Sequence, residues 1–510
     1  KLLFQGGVMQ KLLQEYKAWR KEILAYNYMF YLAGWDSQTY AGGGDMTAYS
    51  EYIPYLSLKV HDLVTDSRIY EVVCELARNK DKLEKVEAHE IEVILKEMEE
   101  NRKLPQDFVE RQSRIFAVSP KVWQEAKTKD DFSIFAPVLE QVIQINKEHI
   151  GYLETPELKG YDKLLDVFSC GYTQADYDSF FDKLIKELVP FVNEVCEKCQ
   201  AEGLSFAREK YDKTRQEKFI KYIAGAMGYD ESRGKIGESE HPFTTGFGSG
   251  DVRFTVHYYE RDVLSAIFSA IHEGGHALFE QNIDKNLNDT FSFGCKDMAL
   301  HESQSRFYEN IIGRSREFWE AHLAEFKKNF GTRRLSVKEL TADKMYKQVN
   351  IVKNSFIRTE ADELTYFKHI IVRYKMEQEL LNGLSVNEAE KRWNELFEEF
   401  FGLTPPSPAL GILQDVHWTS TFGYFPSYAL GSAFSSQIFD AMNKDFDVLG
   451  SLSQGNILRI NEWLKEKIHR YGNSEYANKV FERAVGGKFD PSHYINYLKN
   501  KYSELYHVGI

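Results

Sequence analysis

Long stretches of this chain place apolar residues three and four apart among charged ones, which lines the apolar positions along one stripe of a helix. Residues 80–102 and 176–203 show the pattern well, and only 12 prolines interrupt it in 510 residues. The chain is therefore predicted to be mainly helical. Alternation of period two is clearest at residues 251–259, where Val252, Phe254, Val256 and Tyr258 take turns with polar neighbours and predict a strand. Residues 239–250, rich in Gly, Thr and Ser, predict a loop before it. After it, residues 263–271 are apolar nearly all round and predict a buried helix. Residues 288–295 carry Asn, Asp, Gly and Ser and read as the connection to a further helix.

The buried helix runs directly into His272-Glu273-Gly274-Gly275-His276. Two histidines four apart lie on one helical face, so both imidazoles can reach one metal ion. Glu273 projects from nearly the same face and can touch water there without being a ligand. Burying two histidines and a glutamate without partners is expensive. Two glycines in a helix interior cost roughly 1 kcal/mol each relative to alanine. They make sense where a substrate or a neighbouring helix must approach the backbone closely. This is the geometry of a zinc peptidase, and a catalytic zinc needs a third protein ligand. Glu302 fits on a following helix, in His301-Glu302-Ser303-Gln304; Glu280, Asp284 and Asp297 compete on spacing alone. Glu280, one turn beyond His276 on the same helix, is poorly placed for tetrahedral closure.

A series of short motifs follows one order along the chain. They are His241-Pro242-Phe243, Asp251-Val252-Arg253-Phe254-Thr255, the H-E-G-G-H core, His301-Glu302-Ser303-Gln304, Ile357-Arg358-Thr359-Glu360-Ala361-Asp362, and Gly411-Ile412-Leu413-Gln414-Asp415-Val416-His417-Trp418. In this order they resemble the carboxypeptidase Taq family of zinc metallocarboxypeptidases, over roughly residues 240–430 by motif. Gly34-Trp35-Asp36-Ser37-Gln38-Thr39 also looks familial, whereas Ala41-Gly42-Gly43-Gly44 departs from the proline-containing pattern of that place.

The resemblance implies a large helical metallopeptidase fold with a deep substrate groove and a small β-sheet beside the zinc-binding helices. It implies that His272, His276 and Glu302 hold one Zn2+, for which Co2+ could substitute, and that Glu273 is the general base. It also suggests a homodimer. A carboxypeptidase must bind a free C-terminal carboxylate, which a guanidinium fork matches. Arg358 is the first choice, against a structural pairing with Glu360, Asp362 or Glu363. Arg253 is the second, against pairing with Asp251. His417 and Tyr424, in a Gly- and aromatic-rich stretch, could stabilise the oxyanion as a protonated imidazole and a hydroxyl. Gln414 and Asp415 could orient these groups or the peptide, and His241 resembles a pocket residue of the family.

Composition narrows the setting. A net charge of −13 argues against nucleic acid as a partner. No apolar run approaches the roughly 18 residues that span a bilayer. Five cysteines, Cys74, Cys170, Cys196, Cys199 and Cys295, form an odd and sparse set that suits a reducing, cytoplasmic setting. Cys196 and Cys199 form a C-x-x-C within a helical pattern, with no second pair at zinc-ribbon spacing, and read as structural. Leu3-Phe4-Gln5-Gly6 resembles a protease-cleavable tag scar, so residues 1–8 are set aside and 9–510 are expected to form one domain. Within it, residues 9–150 have no chemical motif and are expected to wall or lid the groove, which favours short peptides.

Three functions compete on the sequence. The first is a metallocarboxypeptidase of broad specificity that removes single residues from free C-termini. The second is a zinc endo-oligopeptidase or aminopeptidase, although the G-x-M-E-N motif of one aminopeptidase class is absent. The third is a non-catalytic peptide-binding protein with a retained metal site, which an intact Glu273 argues against.

Overall fold

The computed structural model describes residues 2–41, 47–199, 203–331 and 335–509. The glycine run at 42–44, where the sequence departs from its family pattern, lies outside the described residues. Helices dominate, and the described residues form one small sheet with strand order β1-β3-β2. β1 (Gly234–Glu238) runs parallel to β3 (Val252–Val256), and β2 (Thr244–Gly246) runs antiparallel to it. The predicted strand at 251–259 is thus real but shorter. The predicted loop at 239–250 contains β2, a three-residue edge strand too short to show a period of its own. No helix of the described residues is long and apolar enough to cross a membrane.

Among the described residues the buried apolar side chains form three clusters, the smallest of them Phe279, Ile283 and Leu287. One unites buried side chains from Ala126 to Val508, and a smaller one joins Tyr16, Trp19 and Ile23 to Ile69, Val72, Leu76, Ile91, Ile94 and Met98. Glu90 ties the smaller core to the backbone at Phe291. Its Oε1 accepts from Tyr16 OH (2.8 Å) and Arg20 Nη1 (2.5 Å), and its Oε2 accepts from the backbone N–H of Phe291 (2.8 Å). The long first helix, Leu2–Thr39, reaches the sheet through buried Trp35, which packs edge-on against Phe243.

The H-E-G-G-H segment lies in a helix, Val263–Asn282, started by Asp262, whose side chain accepts from Ser265 N. It packs on β3, as the apolar run and the alternation of β3 together require. The following helix, Met298–Arg306, starts with Asp297 accepting from Leu300 N (2.8 Å) and continues into a π-helical turn, Phe307–Ile312. Two glycines bring this second helix into place. A methyl group on Gly275 would lie 2.9 Å from Gln304 O and from Ser305 Cα. One on Gly431, in helix Phe425–Asp445, would lie 2.9 Å from Glu302 Cβ. Glycines on both flanks let the backbones close to a distance that any side chain forbids. The glycine inside the H-E-x-x-H motif therefore serves the neighbouring helix. Gly274 faces Met227, whose Cε would lie 3.3 Å from an added methyl.

Candidate metal centre and substrate site

His272 and His276 stand one turn apart on their helix and meet Glu302 from the next one. Glu302 Oε2 lies 3.7 Å from His272 Nε2 and 3.4 Å from His276 Nε2. Among the described residues these three offer ligand atoms that all lie within 4.8 Å of one another. Tetrahedral ligands at zinc's 2.0–2.1 Å bond lengths stand about 3.3 Å apart, so two nitrogens and one carboxylate oxygen at these separations fit such an ion. The competing carboxylates are engaged elsewhere. Glu280 accepts from His301 Nε2 (3.0 Å), Asp284 caps a turn at Asn286 N, and Asp297 is a helix cap.

The surroundings fix the three candidate ligands. His272 Nδ1 bonds Glu309 Oε2 (2.9 Å), the carboxylate–imidazole arrangement that sets tautomer and ring angle. Arg306 donates to Glu302 Oε1 (2.7 Å) and Glu309 Oε2 (3.1 Å), and Arg314 reaches Glu309 Oε1 (3.1 Å). His276 is held by stacking on His301, with ring centroids 4.5 Å apart. Burial alone would push the Glu302 and Glu309 carboxyls up, but the guanidiniums and imidazoles hold both well below the usual range. Burial and the nearby His301 push His276 down to about 3, so its imidazole is neutral at neutral pH. Glu309, Arg306 and Arg314 belong to none of the motifs that stand out in the sequence. Their only signal there is spacing: Arg306 and Glu309 follow Glu302 by four and seven residues, on one helical face.

Glu273 is buried beside the trio, and Thr244 Oγ1 on β2 donates to its Oε2 (2.7 Å). Burial raises its pKa above the usual glutamate value. Thr244 pairs with Phe254 and thus shares the motif-facing side of the sheet. The strand alternation places Arg253 on the other side, bound to Asp251 through two bonds of 2.8 and 2.6 Å. There Arg253 lies over Phe247 and borders a cavity of about 900 Å³ with Trp35, Met29 and Tyr40. His241 is exposed, and its carbonyl accepts from Ser239.

Arg358 is buried and pairs with none of Glu360, Asp362 and Glu363. Its Nε and Nη2 donate to Asp415 Oδ1 (3.0 and 2.8 Å), and its Nη1 to Tyr366 OH (3.1 Å). Gln414 Oε1 accepts from Arg358 N (2.9 Å), while its amide ties Phe356 O and Gly411 O, so Gln414 joins the two motif loops. Tyr366 connects the two halves of the site, because its ring lies under Arg306 at 4.3 Å. His417 and Tyr424 lie together, ring centroids 5.2 Å apart, with Tyr428 beside both. Burial and the Arg358 charge push His417 down to about 4. That shift favours a neutral imidazole at neutral pH. The stretch is held from behind by Glu377, which accepts from Tyr161 OH, Trp418 Nε1 and Gly423 N.

A mainly helical fold that joins an H-E-x-x-H helix to a carboxylate on the next helix defines a metal-dependent peptide hydrolase. The chain belongs to the carboxypeptidase Taq (M32) metallopeptidase family, matched over residues 15–502. It is similar to Carboxypeptidase 1 of Bacillus subtilis (strain 168), 39% identical over 95% of this chain and 97% of the relative. It is similar also to Thermostable carboxypeptidase 1 of Pyrococcus furiosus, 33% identical over 98% of this chain and 99% of the relative. The crystal structure of M32 carboxypeptidase from Deinococcus radiodurans R1 superposes with a TM-score of 0.93 at 31% identity, covering 98% of this chain and all of that one. The protein is thus a metal-dependent carboxypeptidase that acts on peptides with a divalent ion.

Proposed function

We propose that this enzyme is a zinc carboxypeptidase of broad specificity that removes single residues from the free C-termini of short peptides. His272, His276 and Glu302 would hold the ion, and Co2+ would serve in the same place. The observation that carries the reading is the trio of ligand atoms at ligand–ligand spacing, with buried Glu273 beside it and Arg358 one tyrosine away. When bound, zinc supplies Lewis acidity, polarising the scissile carbonyl and lowering the pKa of water towards about 7.

Glu273 takes the proton of the attacking water and passes it to the leaving amine. Its raised pKa suits both steps, since a base poised nearer the working pH gives the proton back readily. Arg358 receives the substrate carboxylate, with Asp415 fixing its fork and Gln414 holding its backbone N–H. Tyr424 and neutral His417 direct O–H and N–H groups at the carbonyl oxygen as charge develops there. Arg253 and His241 serve, in this proposal, the more distant part of the peptide. The N-terminal helices wall the groove, and two chains pair as a cytoplasmic homodimer.

One short peptide offered as the free acid and as the C-terminal amide tests the reading by mass spectrometry. Stepwise loss of single residues from the acid alone, abolished by chelator and restored by zinc, is the expected result. Internal cleavage of both forms would make the enzyme an endo-oligopeptidase. Binding without cleavage would make it a peptide carrier.

A further inference from the structure

We propose that Arg373, a residue that cannot touch substrate, supplies the positive charge that lets Arg358 bind a free C-terminal carboxylate. The proposal rests on the reading of Arg358 as the carboxylate clamp. Asp415 uses both of its oxygens. Oδ1 takes Arg358 Nε and Nη2, and Oδ2 takes Arg373 Nε at 2.7 Å. Arg358 paired with Asp415 alone would be a neutral buried unit, with its attraction for an anion already spent on the aspartate. A second guanidinium on the far oxygen leaves the triad with one net positive charge.

That charge can be expressed only through Arg358. Arg373 is completely buried between Trp393 and Phe425, with its guanidinium carbon 5.0 and 5.4 Å from the two rings, and its Nη1 donates to His369 O (2.7 Å). Arg358 has Nη1 on Tyr366, whose ring lies under Arg306, and its guanidinium lies over Tyr428 at 5.0 Å.

The other ionisable groups around the triad do not cancel the count. His369 and His417 are pushed down by burial and by the guanidiniums and stay neutral. Lys127 adds a partly solvated cation on Gln414 O (2.9 Å). Glu377, one turn from Arg373 on the same helix, gives its oxygens to Tyr161, Trp418 and Gly423, and burial pushes it up to about 7, so it carries only part of a negative charge at neutral pH. Tyr366, Arg373 and Glu377 fall at i, i+7 and i+11 of helix Tyr366–Leu381, one stripe facing the motif loops. Arg373 is thus a positioning and charge-setting residue.

Charge balance and mere structural support predict different outcomes for paired variants. The test is steady-state kcat and KM on a free-acid tripeptide for R358Q, R373Q, R373K and R373Q/D415N, with metal content and melting temperature measured for each. R373Q should raise KM about 30-fold with a much smaller change in kcat. R373K keeps the charge and should stay within about threefold of wild type in KM. R373Q/D415N restores one net positive charge and should recover most of the KM that R373Q loses. A double variant no better than R373Q, or R373K as weak as R373Q, overturns the proposal. If R373Q does not fold, R373K is compared with wild type: KM within about threefold of wild type upholds the proposal, and KM raised about 30-fold overturns it. An unchanged KM in R358Q would instead overturn the clamp reading beneath it.

Discussion

The two ends of the site are built on opposite charge logic. At the metal end, two imidazoles and the carboxylates of Glu302, Glu309 and Glu273 gather against the guanidiniums of Arg306 and Arg314. At the other end, two guanidiniums share the single carboxylate of Asp415. One end is short of a cation and the other of an anion, and both are dry enough for that imbalance to be felt. Tyr366 joins them, with its ring under Arg306 and its hydroxyl on Arg358. A peptide whose scissile carbonyl lies at one end and whose terminal carboxylate lies at the other satisfies both. Buried partners in this enzyme thus tune the charge left over for the ligand, beyond holding side chains in place.

The largest effect that can break this contrast comes from removing the ion. Chelation should abolish turnover on every peptide while leaving the binding of a free-acid peptide measurable by calorimetry; loss of that binding as well would show that the two ends are not separable. Glu273→Gln should keep full metal content and lower kcat by about 1,000-fold, read by single-turnover kinetics beside metal analysis. Wild-type turnover would move the base elsewhere.

Arg358→Ala should raise KM for free-acid peptides by about 100-fold with metal content unchanged, because one partner of a desolvated charge pair is lost. An unchanged KM would shift the clamp to Arg253. Glu309→Gln should act on the metal end alone, weakening metal affinity about 10–100-fold in a competition titration while KM at saturating metal stays put.

The smallest effect concerns pH. His417 is depressed to about 4 from 6.5, so its neutral form is the native one. The folded state then binds fewer protons than the unfolded one between these values, and the associated stability is present above about 6.5 and lost as pH falls towards 4. At saturating metal, KM for a free-acid peptide should change less than about threefold between pH 5 and 7. A KM that drops steeply as pH falls through 6.5 would mean that a protonated His417 takes part in binding the carboxylate.

Much of the metal end is legible in the sequence. His272, Glu273 and His276 occur within five residues of an apolar run, and Asp262 and Asp297 cap the helices that carry the ligands. The choice of Glu302 over Glu280, Asp284 and Asp297 rests on family pattern, and geometry gives it a physical ground in the close helix approach at Gly275 and Gly431. The carboxylate end is only half visible. Arg358 stands out, but the carboxylate it pairs with is Asp415, 57 residues away, and none of its acidic neighbours along the chain. Arg373 and Thr244 give no sign of their roles, the first inside a helix rich in buried charge and the second in a stretch with the composition of a loop.

The sequence by itself determined what depends on local backbone geometry. Helical periodicity sets the angle between His272 and His276, and the alternation of β3 sends Phe254 to one face and Arg253 to the other, because backbone hydrogen bonding fixes both within a few residues. Tertiary structure alone decided which carboxylate comes within reach of both imidazoles, that Arg358 and Arg373 share Asp415, and that burial depresses His417. Those outcomes depend on which faces pack and how far water is excluded, and separation along the chain carries no information about either.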